Sequence, residues 1–137
     1  MAKSKAYKRQ TTIRRILQLY GEKAAEAARQ ALKDNAETLA KKARELAPVE
    51  KGFYKGRHFK LKHPGRLRDS IHVEESKKDV IQIVADAKDD KGYPYAAIIE
   101  YAPYGQPFMK PAYEAVKIEM INHAKDLIRA AIRNDAV

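Results

Sequence analysis

Residues 22–48, EKAAEAARQALKDNAETLAKKARELAP, decide the fold of this chain. Apolar residues recur there at steps of three and four, and charged residues fill the other positions, which predicts one amphipathic helix. The helix is expected to end at Ala47, because a residue before proline avoids the α-helical region. At about 1.5 Å per residue it would span about 40 Å. Its apolar stripe is rich in alanine, so a neighbouring element can approach closely. The stripe consists of Ala24, Ala28, Leu32, Ala36, Leu39, Ala43 and Leu46.

A basic, non-periodic stretch precedes this helix. Residues 1–12 hold no acidic residue and are predicted to form a flexible arm. A threonine at position 11 or 12 then caps a short helix with one apolar face, made of Ile13, Ile16, Leu17 and Tyr20. Gly21 is expected to interrupt or bend the chain before the long helix begins.

Strand patterns follow the long helix. Residues 48–66 contain three glycines and two prolines, which predicts a loop, with a hairpin-like extension as the alternative. Alternating apolar residues predict strands at 71–75 and 79–86. Aromatic and β-branched residues predict a third strand at 93–101, whose Pro94 belongs at a strand start or an edge.

A second long helix is predicted near the carboxyl end, with Pro111 in its first turn, where a missing N–H costs nothing. Its apolar surface is wide, so it is expected to pack on two sides or to contact another subunit. The stripe consists of Ala112, Val116, Met120, His123, Leu127 and Ala131, and it is widened by Ile118, Ile121, Ile128 and Ile132.

These elements predict an α+β fold, in which a long N-terminal helix and a C-terminal helix pack on a small, mainly antiparallel sheet. The alanine stripe of the first long helix is expected to face that sheet. Residues 13–137 would form a single domain, with a basic, aromatic loop inserted at 50–65.

Positive charge is concentrated in two segments. The chain has 137 residues and a formal net charge of +10. Residues 1–15 hold six basic residues and residues 51–68 hold seven, and neither segment contains an acidic residue. The remainder of the chain is nearly neutral. Such segments attract phosphates or an acidic protein surface, or they serve solubility.

The sequence shows no pattern of a catalytic or metal site. Without cysteine there is no disulfide and no thiolate ligand, and no apolar run has the length of a membrane span or signal peptide. No two histidines have zinc-like spacing, and no metal or cofactor is expected. Ser70 lacks a neighbouring base. Glu100 is expected to be a surface or salt-bridged carboxylate, and His123 a structural histidine.

Aromatic and cationic residues are interleaved in the inserted loop. Aromatic rings stack on nucleic-acid bases while cations hold phosphates, and the same residue types anchor protein–protein contacts. No motif for sequence-specific reading of DNA or RNA accompanies them. The candidate contacts to a partner or to DNA are Lys51, Phe53, Tyr54, Lys55, Arg57, Phe59, Lys60 and Lys62.

Three landmarks carry a family resemblance: ELAPV at 45–49, GRLRDSI at 65–71, and YAAIIEY at 95–101 with QPFMKPA at 106–112. In order and spacing they resemble the lambdoid-type siphophage tail-component family, whose members are often called tail-completion or neck proteins. The resemblance covers about residues 20–130. The motif residues are Pro48, Gly65, Leu67, Ser70, Ile71, Tyr95, Glu100, Pro107, Phe108 and Pro111.

The chain departs from that family pattern at two places. It inserts the basic, aromatic segment after Glu50, where the family runs directly into an Asp-Thr-Gly turn. It also has APYG at 102–105, where the family favours Gly-Thr. The resemblance further implies that GRLRDSI is a structural turn, in which Gly65 permits a tight approach, Leu67 and Ile71 anchor on the core, and Ser70 bonds local backbone.

The resemblance implies a structural virion protein of a tailed phage or prophage, without enzymatic activity, at the head–tail junction. Such a protein would be made in the host bacterial cytoplasm, and it would bind neck and tail proteins such as a stopper, a tail terminator or the tail tube. It would be a monomer when free and a ring around the DNA channel when assembled, with nonspecific contact to packaged DNA. The alternative function is nonspecific nucleic-acid binding, which charge alone supports.

Overall fold

The computed structural model describes residues 12–49, 51–54, 57–60, 63–101 and 106–135. The described elements combine helices with two separate two-stranded antiparallel sheets, β1–β2 and β3–β4. The predicted α+β class is therefore confirmed. In chain order they are α1 (Thr12–Tyr20), α2 (Glu22–Leu46), β1 (Lys51–Tyr54), β2 (Arg57–Lys60), α3 (Arg66–Ser70), β3 (Ile71–Lys77), β4 (Val80–Ala85), α4 (Ala96–Tyr101) and α5 (Met109–Asp135).

Helix α2 forms where the apolar spacing predicted it. Gly21 separates it from α1 with a φ of 90°, a backbone conformation that glycine adopts without strain. At the other end Ala47 is extended, and its N–H still donates to the Ala43 carbonyl at 2.9 Å. The buried side chains are all alanines, namely Ala24, Ala25, Ala28, Ala31, Ala36, Ala40 and Ala43.

The leucines of the predicted stripe are less buried than expected. Leu32 and Leu39 are half-buried, and Leu46 is 37% exposed. The centre of the buried face therefore lies between the leucines, along a line of alanines that the predicted stripe includes only in part. Because alanine has only a methyl group, the neighbouring elements approach the α2 backbone closely.

The alanine face of α2 packs against α5 as well as against the β3–β4 sheet. The two long helices run antiparallel, and polar links join them at mid-length. The Asn35 side-chain amide donates to the Met120 carbonyl at 3.0 Å. His123 Nε2 lies 2.8 Å from Asp34 Oδ2, so the structure places this histidine in a hydrogen bond between the two helices.

The β3–β4 hairpin lies along α2. Its register pairs Ile71 with Ala85 and Val73 with Ile83, and these residues face the core. The Arg44 side chain donates to the Ile71 carbonyl at 2.9 Å. The strands predicted at 71–75 and 79–86 are confirmed, with bounds shifted by one or two residues.

The core lies where the carboxyl-terminal end of α2 meets the start of α5. Phe108, Leu67 and Ile71 are the largest fully buried side chains among the described residues. Around them the cluster contains Ala40, Ala43, Ala47, Ala87, Ala96, Ile99 and Ala112. Several elements that are distant in sequence thus bury their apolar residues at one place, as the formation of a single hydrophobic core requires.

The prediction of a third strand at residues 93–101 is wrong. Residues 93–101 contain one isolated bridge, between Lys88 and Pro94, and then the helix α4. Strand propensity of the tyrosines and isoleucines is outweighed by packing. In the helical form Ala96, Ile99 and Glu100 all point to the protein interior, which is the three-and-four spacing of a helix.

The His72 imidazole is predicted to titrate above its ordinary value. Its Nε2 lies 2.7 Å from Glu74 Oε1, and its Nδ1 lies 2.7 Å from the Ser70 carbonyl oxygen. Both acceptors favour the charged ring, Glu74 more strongly than the Ser70 carbonyl, and they raise the pKa of His72 above its ordinary value of 6.5. The charged ring therefore contributes stability that is fully present below the unfolded pKa and is lost as pH rises through the folded pKa.

NMR titration of the His72 ring checks this expectation. In Glu74→Gln the midpoint should return toward the ordinary histidine value, because the strongest acceptor has lost its charge. An unchanged midpoint in that variant would contradict the assignment. The ring is partly exposed, so the change in the free energy of unfolding is expected to be small.

Candidate functional site

The basic, aromatic segment forms a hairpin. Strands β1 and β2 pair with each other, and the register joins Lys51 to Lys60, Phe53 to His58 and Tyr54 to Arg57. The hairpin-like alternative for this segment is thus confirmed. Six candidate contact residues lie on the two strands, whereas Lys55 and Lys62 lie outside the described residues.

The base of the hairpin is tied to the turn that precedes α3. The Gly65 N–H donates to the Val49 carbonyl at 3.2 Å, so the two ends of the insertion are held together. Gly65 has a φ of 81°, which is left-handed backbone. A Cβ there would crowd only the flexible end of the Arg68 side chain, so the position favours glycine because of its backbone conformation.

The GRLRDSI motif is a structural turn followed by a short helix. Leu67 and Ile71 are each 1% exposed and belong to the core. The Ser70 hydroxyl donates to the Leu67 carbonyl at 2.7 Å. Its hydrogen is therefore used in a bond to local backbone. The predicted roles of Leu67, Ser70 and Ile71 are confirmed, and the motif anchors the hairpin to the core.

The loop between β4 and α4 fastens to the same base. His63 Nε2 lies 2.7 Å from Asp90 Oδ1, and the Arg66 guanidinium donates to the Lys88 carbonyl at 2.8 Å. Within the loop, one oxygen of Asp89 accepts the N–H groups of Lys91 and Tyr93, both at 2.9 Å. This end of the molecule is therefore braced by side chains from two segments.

Exposed tyrosines lie at this end of the molecule. Tyr93 is 66% exposed and Tyr101 is 82% exposed, and α4 lies against β1. Large exposed aromatic side chains are typical of binding surfaces. We call β1–β2, the 86–95 loop and α4 together the hairpin end, and it is the candidate functional site.

Glu100 connects the hairpin end to α5. Its side chain is 9% exposed. Its Oε2 accepts the N–H groups of Phe108 at 2.7 Å and Met109 at 2.9 Å, and its Oε1 accepts that of Lys110 at 2.9 Å. The next residue, Pro111, has no N–H to satisfy.

The start of α5 is thereby completely hydrogen-bonded. A helix begins with four N–H groups that lack partners within the helix; Glu100 accepts three, proline removes the fourth, and the Ala112 N–H starts the regular ladder on Phe108 at 3.1 Å. The expectation that Glu100 is a surface or salt-bridged carboxylate is wrong, because its side chain is buried and accepts backbone N–H groups. The sequence signal that could have indicated this role is a proline in the first turn of the helix, preceded by a glutamate a few residues upstream.

The remaining motif residues have simpler environments. Pro48 is buried beside the end of α2, and Pro107 and Pro111 are exposed. Tyr95 is half-buried, and burial raises the pKa of its hydroxyl. Phe108 is buried in the core.

The residues considered as catalytic candidates do not come together in the described part of the chain. Ser70, Glu100 and His123 each bond a different partner and do not form a cluster. Among the described ranges, no group of three or more histidine and carboxylate side chains could hold a metal ion. None of the described helices combines the length and apolarity needed to cross a membrane.

The chain matches the sequence model of the family described as "Bacteriophage HK97-gp10, putative tail-component" over residues 11–101. The chain belongs to this HK97-gp10-like family. The match runs from α1 to the end of α4 and includes the hairpin end, whereas α5 follows it. The family of tail components agrees with the resemblance carried by the sequence landmarks. Comparison with curated proteins and with solved structures gave no match.

Proposed function

We propose that this HK97-gp10-like protein is a structural, non-enzymatic virion component that completes the tail at the head–tail junction. The observation that carries the proposal is the β1–β2 hairpin. Within the described residues its two strands pair with no third strand, and its base is held by the hydrogen bond from Gly65 to Val49. A two-stranded hairpin is marginal in water on its own. A partner surface that covers it would supply the missing burial.

The hairpin would contact a neck or tail protein, such as a stopper, a tail terminator or the tail tube. Its segment carries aromatic residues among cations and no acid between positions 51 and 68, which suits an acidic protein surface. The proposed contacts are Lys51, Phe53, Tyr54, Lys55, Arg57, Phe59, Lys60 and Lys62.

The same protein is proposed to be a monomer when free and a ring around the DNA channel when docked. The unpacked side of α5 supports association, because Ile118 is 67% and Ile121 41% exposed. Residues 1–12 would remain a basic arm beside one domain that spans 13–137. Light scattering of the free protein, compared with mass measurement of the assembled tail, tests the two states.

Removal of the hairpin should abolish head–tail joining and leave the fold intact. The variant deletes residues 51–62 and links Glu50 to His63 through a short glycine turn. Helical circular dichroism and Tm should stay near wild type, since the core lies outside the hairpin. Electron microscopy of a phage complemented with this variant should show separate heads and tails.

A matched variant separates charge from shape. It keeps the hairpin length but replaces Lys55, Arg57 and Lys60 with glutamine, and its control replaces Lys55 and Lys60 with arginine. Loss of joining in the first and retention in the second would support a charged contact. Normal joining by the deletion variant would refute the proposed role of the hairpin.

Nonspecific nucleic-acid binding is the second candidate function, favoured by the two basic segments. A protein that neutralises several phosphates loses affinity steeply as salt rises. Duplex binding by the free protein, measured between low and physiological salt, distinguishes the candidates. Tight and steeply salt-dependent binding would favour this second function.

A further inference from the structure

An open apolar groove lies at the opposite end of α2 from the hairpin. Its volume is about 670 Å³. Ala28, Ala31 and Leu32 of α2 line it together with Ala124 and Ile128 of α5. The start of β4 and the apolar face of α1 complete it through Val80, Ile81, Ile13, Ile16 and Leu17.

One wall of this groove is an open strand edge. Strand β4 pairs with β3 only, and no other backbone hydrogen bond reaches it within the described part of the chain. Its outer row of N–H and C=O groups is therefore unpaired. Val80 and Ile81, the first two residues of β4, line the groove, whereas no β3 residue does. The groove therefore opens onto the start of the free β4 edge.

The β4 edge lacks the features that normally protect such edges. Its sequence, VIQIVA, has no charged residue and no proline, whereas natural edge strands commonly carry lysine, proline or inward charges. Strand β3 by contrast carries Glu74, Glu75 and Lys77. Val80 at the start of β4 is 43% exposed. This edge is thus open to strand addition.

The rim of the groove is cationic. Arg14 and Lys78 are exposed there, and no acidic partner faces either within the described residues. The one carboxylate on the groove belongs to Asp79, and Arg29 already pairs with it at 2.8 Å. A bound segment would therefore meet unpaired positive charge above an apolar floor.

We propose that this groove binds an extended, acidic segment of a partner protein, which adds as a strand to the free edge of β4. Backbone hydrogen bonds to β4 would supply affinity, as in other strand additions. Alternate apolar side chains of the segment would enter the groove, and its carboxylates would meet Arg14 and Lys78. This surface goes beyond the proposed function, because it assigns a second docking site that does not involve the hairpin.

The probe is a fluorescein-labelled peptide of alternating glutamate and isoleucine, seven residues long. Fluorescence anisotropy with the full chain should show saturable binding, and amide NMR shifts should concentrate on Val80–Ile83. The same peptide with lysine for glutamate, or with proline for the central isoleucine, should not bind. The first loses the charge match and the second loses a backbone donor.

Charge reversal at the rim gives the matched comparison. Arg14→Glu with Lys78→Glu changes two exposed residues and should weaken binding about tenfold or more. The control, Lys41→Glu with Lys88→Glu, makes the same change in net charge away from the groove and should bind as wild type. Circular dichroism verifies that both variants fold.

Any of three results in the peptide-binding assay would overturn the proposal. They are the absence of saturable binding, equal binding of the lysine peptide, and equal weakening by the control pair. If the chain associates with itself and the Arg14→Glu, Lys78→Glu variant abolishes that association, the occupant is a second copy and the proposed partner is wrong. These measurements use the intact chain and not the hairpin-deletion variant. Failure of the groove proposal therefore leaves the proposed tail-completion role untouched, and the reverse also holds.

Discussion

Glu100→Gln should destabilise the fold by about 3 kcal/mol, since hydrogen bonds to a charged group contribute about 1.5–3 kcal/mol each and a carboxylate at a helix N-terminus adds to them. The carboxylate accepts three backbone N–H groups at the start of α5. Glutamine keeps a single acceptor oxygen and turns a donor toward the remaining N–H, which leaves a donor unsatisfied beside the core.

Thermal unfolding followed by circular dichroism measures this loss, with an expected fall in Tm of about 10 °C. Glu119→Gln is the control, because it removes an exposed carboxylate from the same helix, and it should change the free energy of unfolding by about 0.5 kcal/mol or less. Equal Tm values for the two variants would contradict the role of Glu100 as the acceptor for the start of α5.

Leu67→Ala should cost about 3–4 kcal/mol, within the range for truncation of fully buried leucines. Leu67 is 1% exposed and lies in the core cluster with Ile71 and Phe108. The loss combines lost burial with the cavity that remains. Because α3 follows directly from the base of the hairpin, the variant should also loosen the Gly65–Val49 link, which amide exchange at Gly65 would report.

Leu46→Ala provides the matched control for Leu67→Ala. Leu46 is 37% exposed near the end of α2, and alanine is at least as good a helix former as leucine. Its effect on the free energy of unfolding should stay below about 1 kcal/mol. Denaturant unfolding of both variants measures the difference. Similar midpoints would mean that the motif leucine is not a core anchor.

Local patterns in the sequence were sufficient for much of the fold. The spacing of alanines and leucines, closed by Pro48, located α2 almost to the residue. Alternation located β3 and β4. These features depend on neighbours within a few positions, where side-chain periodicity and backbone preference are set by the residues themselves.

Segments with conflicting local preferences could not be determined in this way. Residues 96–101 have strand-forming side chains, yet they form α4 because Ala96, Ile99 and Glu100 all reach the interior from a helix. The inserted segment likewise permitted either a loop or a hairpin. In such cases the free energy of packing exceeds the small differences in intrinsic propensity.

The sequence alone determined the positions of the two long helices, the β3–β4 hairpin and the concentration of positive charge around the insertion. Only the tertiary structure decided that the alanine face of α2 packs on α5 as well as on the sheet, that Glu100 completes the start of α5, and that the edge of β4 opens on a groove. These contacts join residues far apart in the chain. Their existence depends on how whole elements pack, since no local spacing encodes which distant backbone group a side chain will meet.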